Sequence, residues 1–317
     1  MGQKAGDRRP RRHPRNQLND LTGTDWIKFT KTWFELGSDA DPERLPIEAE
    51  RSWLIVDSRR YHKNRDTELH PARYPEELVR EFLLFFTKKG EWVLDPFAGS
   101  GATLVACLET GRNGVGVELS PKYAAVSQRR IARGSLESVV AVKQGDAARV
   151  GETDFWGNAA CPGLPVGDGG LPTFDFVMTS PPYWDMLRHS RGGVESTHKK
   201  RAKRGLDTVY SDDPADLGNT ETYEEFIRKL CGILSDAGRL VRPGRYLVVV
   251  AQNLRAPGGE VVPLAWDIQR GLDGPLQFQG ERIWCQNSKS LGIWGYPKVF
   301  VPNYHHHYCL IFRRPGK

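Results

Sequence analysis

From residue 76 onward, apolar positions alternate between two regular patterns. Glu76–Lys88 (EELVREFLLFFTK) repeats them at three- and four-residue spacing behind Pro75, which predicts a helix. Glu91–Asp95 (EWVLD) is a short apolar run and predicts a buried strand. A glycine-rich turn and a helical stretch, Ala102–Glu109, follow it. Gly114–Glu118 predicts a second strand, Pro121–Arg133 a helix, and Val139–Gln144 a third strand ending at Gly145-Asp146. Residues 151–173 are rich in Gly and Pro and read as an insertion or linker. Phe174–Thr179 predicts a fourth strand, whereas residues 186–220 lack any period and read as a mobile loop. Thr222–Leu234 predicts a helix with Thr220 as its N-cap. Tyr246–Ala251 predicts a strand, residues 261–272 a helix, and Glu281–Cys285 and Tyr308–Phe312 two closing strands. Strands alternating with helices predict an α/β fold with a doubly wound, mostly parallel sheet. Ligands of such sheets sit outside the carboxyl ends of the strands, where the strand order reverses.

Before residue 76 the pattern is weaker. Residues 1–20 are Arg-, Pro- and Asn-rich with few apolar positions and read as a disordered basic arm. Residues 21–69 mix charges with Trp26, Phe29, Trp33, Phe34 and Trp53, which suggests a short helical extension packed on the body. The 317 residues suffice for one large α/β domain, and 39% of them are hydrophobic. No apolar run approaches membrane length, and the basic start leads into no apolar segment of a secretory signal. The expectation is a cytoplasmic protein without membrane contact. Five dispersed cysteines (Cys107, Cys161, Cys231, Cys285, Cys309) with no CxxC pair fit reduced thiols, and neither a disulfide framework nor a zinc site.

The net charge of +6 is unevenly held. Residues 1–16 carry Lys4, Arg8, Arg9, Arg11, Arg12 and Arg15 against Asp7. Residues 188–204 carry Arg188, Arg191, Lys199, Lys200, Arg201, Lys203 and Arg204 against Glu195. With Arg313, Arg314 and Lys317 these stretches exceed the whole net charge, so the remaining body is acidic. Such appendages are either solvated tails or phosphate-contacting surfaces, and charge alone leaves both open.

Two turns carry the chemistry. The first is Asp95-Pro96-Phe97-Ala98-Gly99-Ser100-Gly101, whose glycines permit a tight bend and close approach of a ligand to the backbone. Glu118 ends the second strand, placed to accept from ribose hydroxyls; Asp146 ends the third and could accept from an adenine amine. Three carboxylates at successive strand ends suit a ligand with a cation, a ribose and an adenine. They would repel the pyrophosphate of a dinucleotide or ATP, and no GxxxxGK sequence is present. The second turn is Thr179-Ser180-Pro181-Pro182-Tyr183-Trp184. An exocyclic base amine is a poor nucleophile because its lone pair is delocalised into the ring. Acceptors opposite its N–H bonds draw that pair out of conjugation, and Ser180 and the carbonyl flanking Pro181 can supply them. The prolines fix φ and bring no competing N–H. Tyr183 then offers a stacking face for a base taken out of the helix. Plainer readings also exist: a strand-to-helix connection, and a proline-rich strand exit.

With these residues the chain resembles the amino-group DNA methyltransferases, which use S-adenosylmethionine to methylate cytosine N4 or adenine N6. The resemblance rests on His70-Pro71-Ala72-Arg73-Tyr74-Pro75, VLDPFAGSGATLVAC (Val93–Cys107), GVGVELSPKY (Gly114–Tyr123) and TSPPYW (Thr179–Trp184), and covers roughly residues 70–312. It implies a Rossmann-like methyltransferase domain over 70–317 with a seven-stranded sheet. It further implies S-adenosylmethionine as cofactor, held by Asp95, Phe97, Ala98, Gly99, Ser100 and Gly101, by Glu118 and Leu119, and by Asp146 and Ala147. Ser180, Pro181, Pro182 and Tyr183 would orient the target base, and serine at the first position is more usual among N4-cytosine enzymes. Adenine N6 or an RNA base are the alternative acceptors on the same fold. The partner implied is double-stranded DNA with a flipped base; a restriction endonuclease partner is compatible with such an enzyme, and oligomeric state stays open.

Departures from the family pattern direct attention to the basic loop. No large domain separates the two motifs, so a target-recognition element must lie in 185–220, 253–303 or the N-terminal extension. Residues 185–220 follow the base site directly, which makes Arg188, Lys199, Lys200, Arg201, Lys203 and Arg204 the expected DNA contacts. Tyr296 and Trp294 are further stacking candidates. His305-His306-His307 precede the last strand and alternate in direction, so a three-ligand metal site is not expected, although one could approach the cleft. No cysteine has the Pro-Cys context of covalent attack on cytosine; Cys309 reads as core, and direct transfer to nitrogen needs no metal. Neutralising Lys199, Lys200, Arg201, Lys203 and Arg204 together is expected to weaken DNA binding and flatten its salt dependence while leaving cofactor affinity unchanged, as measured by fluorescence anisotropy across a salt series.

Overall fold

The computed structural model describes residues 14, 16–22, 33–35, 74–132, 138–157, 161–184, 213–255, 260–272, 276–286 and 304–316. The main sheet contains β1 (Trp33–Glu35), β2 (Trp92–Asp95), β3 (Asn113–Glu118), β4 (Val140–Gln144), β5 (Phe174–Thr179), β6 (Val241–Ala251), β9 (Gln277–Cys285) and β10 (His306–Arg313). Their spatial order is β1-β9-β10-β6-β5-β2-β3-β4. Only β10 runs against its neighbours, pairing antiparallel with both β6 and β9. A small antiparallel hairpin, β7 (Leu254–Arg255) with β8 (Val261–Val262), stands apart. The order proceeds outward from β2 through β3 to β4, and from β5 in the other direction, so it reverses between β2 and β5. The glycine turn and the SPPY turn leave the sheet at these two neighbouring strand ends.

Both faces of the sheet are covered because the central strands are apolar on both sides. Consecutive residues go to opposite faces: Val93, Phe176, Met178, Val248 and Val250 join one cluster, while Leu94, Val177, Leu247 and Val249 join the other. The first cluster receives α1 (Glu76–Phe86), whose Leu78, Val79, Phe82, Leu83, Phe85 and Phe86 are buried, together with Ala106 and Cys107 of α2 (Ala102–Thr110). α3 (Pro121–Ile131) packs beside α2. The second cluster receives α4 (Tyr223–Leu240) and α5 (Leu264–Gly271). Pro75 starts α1 with Glu76 and Glu77 in its first turn, complementing the helix dipole. Among the described residues no helix is long and apolar enough to cross a membrane.

Several boundaries differ from the sequence expectation. The N-cap of α4 is Thr222, not Thr220: its side chain accepts from Glu225 N at 3.2 Å. β6 begins at Val241, five residues ahead of the expected start at Tyr246, and runs through Pro243-Gly244. The strand passes through an irregularity there: Phe174 pairs with Val241, but Phe176 pairs with Tyr246. That irregularity brings Arg242 Nη1 to 2.7 Å and Arg245 Nη2 to 3.8 Å from buried Asp175 Oδ1, while Trp92 N donates to Oδ2.

The N-terminal region is also more integrated than its composition suggests. Residues 16–20, expected to be disordered, pack on the body. Asn19 is fully buried and donates to the Phe85 carbonyl, satisfying an acceptor at the end of α1. Lys88 Nζ donates to Asn16 O, and Arg245 to Leu18 O. Farther on, Trp33–Glu35 form a strand, not part of a helix, and lie parallel along β9. The seven strands expected of the body are present, and this eighth covers an edge that would otherwise leave backbone groups unpaired. The remainder of residues 21–69 lies outside the described residues, including Trp26, Phe29 and Trp53.

Candidate active site

Asp95 ends β2 and is 1% exposed. Its Oδ2 accepts from Thr103 Oγ1 at 2.5 Å and Tyr74 OH at 2.9 Å. Its Oδ1 accepts from Thr179 Oγ1 at 2.7 Å and Phe97 N at 3.1 Å. Burial raises the carboxyl's pKa, and the hydrogen bonds from Thr103, Thr179, Tyr74 and the Phe97 N–H oppose that rise. Tyr74 and Thr103 also contact each other directly, and burial pushes the Tyr74 phenol well up. One carboxylate thus ties together the residue before α1, the first turn of α2, the glycine turn and the end of β5. Thr179 directly precedes Ser180, so the two predicted turns hang from the same side chain.

The glycine turn is fixed by close packing. Gly101 has φ +81°, and a Cβ there would lie 2.1 Å from Ser127 Oγ. Ala98 N donates to Val117 O at 2.9 Å, fastening the turn to β3. Arg130 of α3 donates to Ser100 O at 2.5 Å and forms an ion pair with Glu76. Glu118 closes the arrangement: Gly99 N donates to its Oε2 and Ser120 N to its Oε1, each at 2.8 Å. Burial raises the Glu118 carboxyl to about 7, the two backbone N–H groups oppose this, and the charges of Asp95 and Asp216 add to it. Asp146 caps the turn after β4, accepting from Ala148 N at 2.8 Å.

These elements border a cleft with about 890 Å³ of empty space. Of the expected cofactor residues, Phe97, Ala98, Gly99, Ser100, Glu118, Leu119, Asp146 and Ala147 line it. Ser180, Pro181 and Pro182 line it too, so both turns meet in one cavity. Asp95 and Gly101 do not line it; they act from behind by holding the turn. Tyr183 also lies off the wall and is 6% exposed. Its hydroxyl donates to Val250 O at 3.3 Å and lies 3.4 Å from Ser180 Oγ, so its ring is packed and not presented as an open stacking face. The basic residues Arg188, Lys199, Lys200, Arg201, Lys203 and Arg204, and Trp294 and Tyr296, lie outside the described residues.

The structure adds wall residues that the sequence reading overlooked: Tyr74, Tyr123, Ala215, Asp216, Leu217 and Ile233. Tyr74 sits within a stretch already noticed. Ala215–Leu217 fall at the end of an aperiodic segment and carry no local signal. Of the histidines, His307 stacks on Trp284 at 4.7 Å and lies 6.5 Å from the Tyr183 ring, whereas His306 faces Tyr308 and Tyr304. The five cysteines are free thiols; Cys309 is buried, and burial pushes its thiol up to about 12.

Residues 9–129 match the family model described as DNA methylase. Over that stretch, somewhat more than a third of its length, the chain is similar to the DNA methylases of the N6/N4 type. It is similar to Type II methyltransferase M.Cfr9I of Citrobacter freundii, with 45% identity over 62 residues, 20% of this chain and 21% of that protein. Type II methyltransferase M.BglI of Bacillus subtilis is 35% identical over 102 residues, 32% of this chain and 26% of that one. The chain therefore spans only about a fifth to a quarter of the length of these relatives. Among solved structures, TrmN from Thermus thermophilus aligns with a TM-score of 0.41 and 13% identity, over 75% of this chain and 48% of that one. Replacing Asp95 by Ala would strand three hydroxyl groups and the Phe97 N–H; a loss of about 3 kcal/mol is expected, measured by urea denaturation.

Proposed function

We propose that this chain is an S-adenosylmethionine-dependent methyltransferase that acts on the exocyclic N4 amine of a cytosine flipped out of double-stranded DNA. The observation that carries this reading is one cavity bordered both by the glycine turn with Glu118 and Asp146 and by Ser180-Pro181-Pro182. The donor set fits the cofactor. Carboxylates at the ends of β3 and β4 suit ribose hydroxyls, an adenine amine and a cation, and disfavour a polyphosphate. The match of residues 9–129 to the DNA methylase model and the similarity to relatives named Type II methyltransferases support the same reading.

The cofactor, when bound, supplies an electrophilic methyl group on a sulfonium. The chain supplies position and polarity. Glu118, held by Gly99 N and Ser120 N, presents its remaining lone pairs to the cleft as a fixed acceptor. Ser180 and the carbonyl flanking Pro181 accept from the target amine, localising its lone pair and aiming it across the cavity. Pro181 and Pro182 keep that segment extended without donors of their own. Asp95 holds the two turns at a fixed separation through Thr179 and Phe97, so orientation is built before substrates arrive. Serine ahead of Pro181 favours the cytosine assignment within the family resemblance.

Expression in a host without DNA methylation, followed by mass analysis of nucleosides, is expected to give N4-methylcytosine. N6-methyladenine would overturn the base assignment, and methylated RNA alone would overturn DNA as substrate. Ser180→Ala is expected to lower methyl transfer about 100-fold with DNA binding retained. Glu118 provides a pH test. Its carboxyl is raised to about 7, so protonation below that value removes the charged acceptor. Cofactor affinity should therefore fall as pH drops below about 7, approaching tenfold per unit, and level off above it. Calorimetric titration across pH 5.5–8.5 (about three units) checks this, and Glu118→Gln should abolish the slope.

A further inference from the structure

We infer that Trp184 is a positioning residue for the cofactor cleft, and that through Thr220 it couples the occupancy of that cleft to the base site. The inference rests on the functional reading above and extends it to a residue that does not line the cavity. Trp184 follows Tyr183 directly and is the only described non-glycine residue with positive φ, at +31°. A side chain in that region persists where its surroundings over-determine it. Here they do. Trp184 Nε1 donates to Thr220 O at 3.1 Å, across 36 positions of chain. Its ring meets Tyr223 edge-on at 5.4 Å, and Tyr223 OH donates to Asp267 Oδ2 at 2.8 Å, anchoring the contact to α5.

Thr220 is in turn rigidly joined to the cleft wall. Its N and Oγ1 both donate to Leu217 O, at 3.2 and 2.7 Å. Leu217 is buried in the same apolar cluster as Tyr183 and, with Ala215 and Asp216, forms the wall facing the glycine turn. Asp216 accepts from Gly218 N at 2.9 Å, and Asn219 Nδ2 donates to Asp213 O at 2.7 Å, so the segment moves as one piece. Asp216 also acts electrostatically on Glu118. A shift of the Ser180-Pro181-Pro182 segment on base entry, carried along the chain to Trp184, therefore reaches Leu217 through two hydrogen-bonded steps, and Asp216 beside it. By linkage the effect is reciprocal: whatever the base site does to cofactor affinity, the cofactor does to DNA affinity by the same factor.

Two variants test this in the 317-residue chain by calorimetric titration with S-adenosylmethionine alone. Trp184→Phe keeps an aromatic ring and removes the Nε1–H donor; Thr220→Val removes the Oγ1 link to Leu217. Each is expected to weaken binding about fivefold, the equivalent of one hydrogen bond. The double variant should be no weaker than the stronger single, because both break one path. Titrations repeated with sheared, unmethylated genomic DNA should show mutual enhancement in the wild type and none in Trp184→Phe. A purely structural role would lower the melting temperature while leaving that enhancement in place. If Trp184→Phe lowers the melting temperature, Thr220→Val carries the test with the aromatic packing intact. Affinity within twofold of wild type in both variants, or additive losses in the double, would overturn the inference. Absence of S-adenosylmethionine binding by the wild type would instead overturn the functional reading itself, and this inference with it.

Discussion

The carboxylate of Asp95 is the point on which the site depends. It is buried, carries a charge that burial disfavours, and is kept by donors from four separate places in the chain. Removing any one donor shifts an element bordering the cleft: Tyr74 leads into α1, Thr103 opens α2, Phe97 belongs to the glycine turn, and Thr179 ends β5. A hydrophobic contact could pack these elements, but it would not fix their distances, because apolar contacts are non-directional. Four hydrogen bonds to one carboxylate are directional and share a centre. They hold two turns in register at the point where the strand order reverses.

Electrostatic character follows from the same geometry. Strand ends of a parallel sheet converge on one rim, so acidic residues ending β2, β3 and β4 are brought together although they are 23 to 28 positions apart in sequence. Burial then raises the affinity of Asp95 and Glu118 for protons, and backbone N–H groups at Phe97, Gly99 and Ser120 offset part of that cost. The basic residues of the chain are concentrated elsewhere in the sequence. A cleft for a cationic ligand and appendages for a polyanion can therefore coexist under one modest net charge.

Much of the fold is legible in the sequence because its central strands are short, apolar runs bounded by turn residues. The apolar stretch EWVLD, the glycine turn after it, and FDFVMT followed by SPP each report a local requirement. Eight of the expected cofactor residues and the Ser180-Pro181-Pro182 segment line the cleft for that reason. The sequence reading fails where the deciding partner is distant. One local boundary also differs: Thr222, not Thr220, caps α4, because it directly precedes Tyr223 and its side chain reaches Glu225 N. The strand expected from Tyr246 starts at Val241, where buried Asp175 pairs with Arg242 and Arg245 across an irregular pairing. Asn19 lies in a polar stretch that reads as disordered, but it satisfies a carbonyl 66 residues away.

By itself the sequence determined the alternating α/β order, the two turns and their chemical character, since each depends on residues within a few positions of one another. Tertiary structure alone decided which residues border the cleft and which act from behind it. Asp95 and Tyr183, both prominent in their motifs, turned out to be buried. Their polar atoms find partners in Thr103, Thr179, Val250 and Ser180, and a buried polar group goes where its hydrogen bonds are satisfied. Ala215, Asp216 and Leu217, silent in sequence, line the cleft, and hydrogen bonds from Thr220 to Leu217 O and from Trp184 to Thr220 O tie that segment to the end of the SPPY turn. Local chemistry names the candidates, and long-range hydrogen bonding assigns them their positions.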